Sequence, residues 1–195
     1  MPSLLTAAFL NGTANPMPET NPWTTLSTRE TYVNPWIRVR EDQVLNPSGG
    51  PGIYGVVEYK NIAVGVVPID DEGFTWLVGQ WRYCHESYEW EIPEGGCPAG
   101  ETPAECARRE LLEETGLIAE TIEPLLTGLQ LSNSTTNEVC DLFVARGITQ
   151  GEACPEETEK LHVKRLPLSE AIAMAKDGRI KDSPSVLALL ALASK

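Results

Sequence analysis

Three glutamates at helical spacing are the residues of this sequence best suited to carry chemistry. Glu110, Glu113 and Glu114 are three and four positions apart, so on a helix they share one face. The residues alone allow two interpretations. The carboxylates form a solvated acidic face paired with Arg108 and Arg109, or they bind a hard cation such as Mg²⁺, which takes oxygen ligands from carboxylates, water and phosphates.

The helix that would position these glutamates has signals at both ends. Thr102 is a typical N-cap residue, Pro103 suits the first helical position, and Glu105 completes a capping box. Gly116 is the residue expected just past the last turn, so the pattern predicts a helix over residues 103–115. We expect its carboxylates to face outward, toward a cleft or toward water. Four apolar residues would form the opposite, sheet-packing face: Ala104, Ala107, Leu111 and Leu112.

The surroundings of this helix match a known motif. Gly95, Glu101 and the run from Arg109 to Leu117 fill every fixed position of the Nudix box, GX5EX7REUXEEXGU, in which U is a bulky aliphatic residue. The chain therefore resembles the Nudix hydrolases, which cleave nucleoside diphosphates linked to another moiety by metal-assisted attack of water on phosphorus. The resemblance implies an α/β fold, the Nudix α/β/α sandwich with a mixed curved sheet, preceded here by a small antiparallel β region.

The resemblance also implies roles for the residues of the box. Glu110 and Glu114 would hold the metal, Mg²⁺ or Mn²⁺, and Arg109 would orient the neighbouring carboxylates. Glu113 would ligate the metal or hydrogen-bond its water, as part of the catalytic set. In the family the backbone carbonyl just before the box glycine is a further metal ligand, and that residue is Glu94, whose side chain would add charge.

Beyond the box, the chain is similar to the ADP-ribose pyrophosphatase and nucleotide-sugar branch. Residues 80–83 resemble a QxR element whose arginine, here Arg82, grips the substrate diphosphate. Glu157 and Glu159 match an ExE element, which implies a catalytic base and a further metal ligand respectively, while Glu156 offers a competing register. Glu138 lies in a stretch where the branch contacts substrate.

The order of patterns along the chain suggests three parts. The patterns predict a flexible N-terminal arm over residues 1–27, a β region over residues 28–60 and the hydrolase domain over residues 61–195. Within the β region, the apolar pattern over residues 32–39 predicts one strand. In similar enzymes this region is exchanged between two subunits, so the resemblance implies a homodimer.

Composition limits the partners. The 195 residues carry a net charge of −13, which argues against nucleic acid as the main partner. The longest apolar run, residues 186–193, is too short to span a bilayer, and five cysteines without a CxxC pair suit a reducing cytoplasm. We expect a small-molecule nucleotide sugar as substrate, ADP-ribose-like or a GDP-, UDP- or ADP-sugar. Three alternatives remain: a CoA or dinucleotide polyphosphate diphosphatase, RNA 5′-end processing, which the net charge disfavours, and a non-catalytic nucleotide-sensing module.

Overall fold

The N-terminal part of the chain forms a separate antiparallel sheet. The computed structural model describes residues 20–152 and 160–194. Strands β1 (Thr24–Val33), β2 (Ile37–Leu45) and β3 (Pro51–Tyr59) pair in that order. The single strand predicted over residues 32–39 is wrong, because the Asn34 side chain accepts hydrogen bonds from the amides of Trp36 and Ile37, at 2.9 and 2.7 Å, and turns the chain there. β1 therefore ends before this turn. Its first four residues, 24–27, lie in the segment that was predicted to be the N-terminal arm.

Two further sheets and three helices make up the rest of the chain. The strands are β4 (Ile62–Pro68), β5 (Phe74–Arg82), β6 (Ser87–Glu91), β7 (Glu94–Cys97), β8 (Leu117–Gln130), β9 (Val139–Gln150) and β10 (His162–Pro167), and the helices are α1 (Pro103–Thr115), α2 (Leu168–Asp177) and α3 (Ser183–Ala193). One sheet has the order β7-β4-β9-β8, with β4 and β9 parallel and the other pairs antiparallel. The other sheet is antiparallel, in the order β10-β5-β6.

Helix α1 has the predicted bounds and the predicted caps. The Thr102 hydroxyl accepts from the Glu105 amide at 3.3 Å, the Glu105 carboxylate accepts from the Thr102 amide at 2.9 Å, and Gly116 ends the helix with φ of 71°. This reciprocal pairing satisfies amides that the first turn would otherwise leave open.

The orientation of α1 differs from the sequence prediction. Ala104 and Leu112 are exposed, whereas Glu110 and Glu114 retain only 9% and 3% of their accessible surface. The buried face of the helix includes both glutamates beside Leu111, so the expectation that all the carboxylates face outward is wrong. The reason is that α1 packs on β7, where Gly95 leaves room for the Glu110 carboxylate and the Glu94 amide donates a hydrogen bond to Glu114.

The core lies on both sides of the central strands. Cys106, Ala107 and Leu111 of α1 pack with Val64 and Phe143 on one side. On the other side, buried residues of α2 and α3 pack with residues of β4, β5 and β9: Ala171, Met174, Ala188, Leu189, Val67, Leu77 and Leu142. Helices therefore cover both faces of a mixed sheet, and the predicted α/β/α sandwich with a small antiparallel N-terminal sheet is confirmed. Among the described residues, no helix has the length and apolar character needed to cross a membrane.

Candidate active site

Helix α1 meets β7 at an acidic corner formed by Glu94, Gly95, Glu110 and Glu114. The Glu114 carboxylate accepts a hydrogen bond from the Glu94 amide at 3.0 Å. The Glu110 carboxylate lies against Gly95, where the Cβ atom of any other residue would be 2.2 Å from Glu110 Oε1. The structure thus brings together three residues that the sequence predicted as metal ligands, and it explains why a glycine precedes the helix at this spacing.

Arg109 links the glutamates around this corner. Its guanidinium donates to Glu101 at 2.9 Å, to Glu110 at 2.7 Å and to Glu113 at 2.9 Å, and also to the Gly96 carbonyl at 3.2 Å. These bonds raise the pKa of Arg109, with Glu101 as the largest cause. Arg109 therefore contacts three glutamates at once, and Glu113 is its half-buried partner on the outer side of the helix.

Arg82 lies at the other side of the corner, paired with two carboxylates. Its Nε atom donates to Glu91 Oε1 at 2.7 Å, and one terminal nitrogen donates to Glu94 Oε1 at 2.6 Å and also to Glu91. Burial of the guanidinium opposes its charge, but the bond to Glu91 and the charges of Glu94 and Glu91 outweigh burial and raise the pKa of Arg82. Among the described residues, no group accepts a hydrogen bond from its other terminal nitrogen, Nη1.

Glu91, Glu94 and Asp182 form a second group of carboxylates, with one oxygen of each lying within 4.8 Å of the others. The Oε2 atom of Glu94 is buried and has no hydrogen-bond partner within the described part of the chain. Burial raises the pKa of Glu94 well above its ordinary value, and the negative charges of Asp182 and Glu91 add to the rise, while Arg82 opposes it. A cation would remove this penalty. The all-oxygen donor set and the unsatisfied carboxylate oxygen both fit a hard divalent metal such as Mg²⁺.

A cleft of about 1040 Å³ opens above these carboxylates. Its walls come from the end of the N-terminal sheet, from β4 to β7, from the segment between β8 and β9 and the start of β9, and from the start of α3. Glu138 lines the cleft, as do Tyr59 and Lys181. Burial raises the pKa of Glu138, and the nearby charge of Asp182 adds to the effect. The cleft is therefore acidic at its base, with Arg82 among its few cationic groups.

The start of α3 is joined to the segment between β6 and β7 by a buried hydroxyl. Ser185 is fully buried, and its Oγ atom accepts from the amide of Ile92 at 2.9 Å. Asp182 caps the same helix by accepting from the Ser185 amide at 2.8 Å. The carboxylate of Asp182 is thus held at the cleft by its role as a helix cap.

Sequence reasoning missed part of this site. Glu91 and Asp182 were not predicted, although Glu91 stands in the run before the box glycine and Asp182 precedes a Ser-Pro pair that signals a helix start. Neither signal says that the two carboxylates meet, because that depends on how α3 packs. The predicted base Glu157 and the predicted ligand Glu159 lie outside the described residues.

Family models and known proteins resemble this chain along most of its length. A model of the NUDIX domain matches residues 59–189, and a model described as the nucleoside diphosphate sugar hydrolase N-terminal domain matches residues 23–57. The chain is 33% identical over 167 residues to a methanol dehydrogenase activator of Bacillus methanolicus, covering 85% of this chain and 89% of that protein. It is also 33% identical to an ADP-ribose pyrophosphatase of Mycobacterium tuberculosis, covering 86% and 82%. A crystal structure of an ADP compounds hydrolase superposes with a TM-score of 0.79, at 25% identity, over 88% of this chain and 92% of the other. The box at the β7–α1 corner, the α/β/α sandwich and these matches together show that the chain belongs to the Nudix family.

Proposed function

We propose that this protein hydrolyses the diphosphate bond of a nucleoside diphosphate sugar, giving a nucleoside monophosphate and a sugar phosphate. The observation that carries the proposal is the acidic corner, whose residues Glu94 and Gly95 line the cleft beside Arg82. A diphosphate placed there would meet a guanidinium and a set of carboxylates suited to a divalent metal. Relatives named as an ADP-ribose pyrophosphatase and an ADP compounds hydrolase support this substrate class.

We assign the metal to Glu94, Glu110 and Glu114, with Glu159 as a further ligand. Mg²⁺ or Mn²⁺ bound there would neutralise phosphate oxygens and lower the pKa of a water molecule. Arg109 keeps Glu110 and Glu113 in place through its short hydrogen bonds. Glu113 would orient the attacking water from the outer side of α1.

Arg82 would bind the diphosphate. Its Nη1 atom has no acceptor among residues 20–152 and 160–194, and a guanidinium presents its donors in a planar fork that suits phosphate oxygens. Glu138 would accept hydrogen bonds from hydroxyl groups of the substrate, since it lines the same cleft. Glu157 is the proposed base that removes the proton from the attacking water.

The N-terminal sheet is the proposed dimer interface, with residues 28–60 as the dimerisation region and residues 61–195 as the hydrolase domain. Every residue of β1 is exposed in the single chain. Large apolar side chains are exposed on this sheet and beside it: Trp23, Leu26, Tyr32, Val33, Trp36 and Ile53. An exposed apolar surface of this kind is typical of a protein interface. Light scattering coupled to size exclusion should give twice the chain mass of 21.3 kDa, and a monomer at all concentrations would contradict the proposal.

The proposed setting is the cytoplasm, with a small molecule rather than nucleic acid as partner. The net charge of −13 works against the binding of a polyanion.

The test is phosphate release, through a coupled phosphatase, from ADP-ribose, ADP-glucose, GDP-mannose, UDP-glucose, CoA and capped RNA. Each compound is assayed with Mg²⁺ and with EDTA. Metal-dependent turnover of a nucleotide sugar is the expected result. Preferred turnover of CoA would instead identify a CoA diphosphatase. If no compound is hydrolysed while a nucleotide still raises the melting temperature, the protein is a nucleotide-sensing module rather than a hydrolase.

A further inference from the structure

The segment between β8 and β9, residues 131–138, is bonded to the N-terminal sheet through residues 134–137. The amide of Val57 on β3 donates to the Thr135 carbonyl at 2.9 Å, and the amide of Asn137 donates to the Val57 carbonyl at 3.3 Å. Val57 and Thr136 form a parallel bridge. We call residues 131–138 the cleft loop. In effect this loop adds a short strand to the free edge of β3.

Two side chains strengthen this attachment. The Asn137 Oδ1 atom accepts from the amide of Tyr59 at 2.7 Å, so Asn137 contacts β3 through both its backbone and its side chain. The Tyr54 hydroxyl donates to the Ser134 carbonyl at 2.9 Å. Two backbone hydrogen bonds and two that involve side chains therefore fix the cleft loop to the edge of β3.

The residues next to these bonds line the cleft. Glu138 follows Asn137 directly in the sequence, and the amide of Tyr59 donates a hydrogen bond to the Asn137 side chain. Both side chains border the cleft, and they lie close enough for the charge of Glu138 to contribute to the raised pKa of Tyr59, after burial. A carboxylate and a phenol facing one space can accept and donate hydrogen bonds to sugar hydroxyl groups.

We propose that Asn137 is a positioning residue for substrate binding, which fixes Glu138 and Tyr59 across the cleft by bonding the cleft loop to β3. This inference rests on the proposed function and extends it to the end of the cleft that would receive the sugar hydroxyls. It assigns Asn137 no contact with the substrate. Its effect therefore falls on KM, since the acidic corner that would perform the chemistry is held by separate contacts.

The test compares Asn137→Ala with Asn137→Asp, which keeps an oxygen acceptor for the Tyr59 amide. Tyr54→Phe removes the hydrogen bond from the Tyr54 hydroxyl to the Ser134 carbonyl. The matched control is Ser134→Ala, an exposed substitution in the same loop that keeps the carbonyl bonded by Tyr54. For each variant we would measure kcat and KM with ADP-ribose and the melting temperature. Binding of the α,β-methylene analogue of ADP-ribose would be measured by calorimetry in EDTA, a readout that does not depend on turnover.

The expected result for Asn137→Ala is a KM and a Kd raised about two- to tenfold, with kcat nearly unchanged. Asn137→Asp should restore most of the binding, Tyr54→Phe should weaken it less than Asn137→Ala, and Ser134→Ala should match the wild type. Equal KM and Kd in Asn137→Ala and the control would overturn the inference, as would a loss confined to kcat or no rescue by Asp. These outcomes are distinct from failure of the proposed function, in which the wild type itself hydrolyses no nucleotide sugar.

Discussion

Adding a single methyl group at Gly95 should disable the site without unfolding the protein. In Gly95→Ala, the new Cβ atom would lie 2.2 Å from both Cδ and Oε1 of Glu110. An ordinary van der Waals contact begins at 3.4 Å, so the carboxylate must retreat by about 1.2 Å. Misplacement of a catalytic group by about 1 Å can cost roughly 100-fold in rate, and we expect a fall in kcat of that order.

The fold should tolerate the same change. Overpacking of this kind costs about 1–3 kcal/mol, and the atom that must move is the end of a side chain rather than backbone. Kinetics with ADP-ribose, thermal unfolding and the Mg²⁺ concentration needed for half-maximal rate should be measured together. The control is Gly55→Ala, because a Cβ atom at Gly55 meets nothing within 4 Å. A Gly95→Ala variant with normal kcat and normal Mg²⁺ dependence would refute the claim that the Glu110 carboxylate must stay against this glycine.

Four further predictions follow from the site and from one ion pair outside it. Glu114→Gln should lower kcat by at least about 100-fold at an unchanged melting temperature, because it removes a proposed ligand charge but keeps the side-chain shape; a near-normal rate would exclude the metal role. Arg82→Lys should raise KM for ADP-ribose by about tenfold, since lysine keeps the charge but loses the fork, and equal KM values would argue against diphosphate binding. Glu157→Gln should lower kcat with little change in the Mg²⁺ dependence, and unchanged kcat would transfer the base to another residue. Burial opposes ionisation of Asp70, but its backbone hydrogen bonds and its pairing with Arg165 outweigh burial and lower its pKa below the ordinary value of 3.8. The charged form therefore stabilises the fold at pH values above 3.8, and this stabilisation is lost as the pH falls through the native pKa. Asp70→Asn should therefore reduce the free energy of unfolding near neutral pH, measured by urea denaturation, and the difference from wild type should shrink as the pH is lowered through the native pKa.

Local chemistry was enough to predict the bounds and the caps of α1. Its caps depend only on residues 102–116, and a capping box satisfies backbone amides whatever the helix later packs against. The turn at Asn34 is also local, but the apolar residues on either side of it gave a continuous strand pattern. The sequence prediction followed hydrophobicity there, whereas the structure follows the Asn34 side chain.

The burial of Glu110 and Glu114 could not be predicted in the same way. An amphipathic helix normally turns its charges to water, and the sequence offers no local reason for the opposite. The reason is tertiary, because a glycine of β7 leaves space for one carboxylate and the amide of Glu94 bonds the other. Asp182 is a similar case, since its place at the cleft depends on contacts between α3 and strands far away in sequence.

The hydrogen bond between Ser185 and Ile92 also sets an order of events during translation. The two residues are 93 positions apart, and a ribosome adds about 5–20 residues per second, so the hydroxyl emerges roughly 5–20 s after the amide that it will accept. Once residue 116 has emerged, for most of that interval, the chain can already form the capped helix α1 and bring its glutamates to β7, because those contacts lie within residues 94–116. A nascent chain would therefore display its acidic corner before it has the last wall of the cleft.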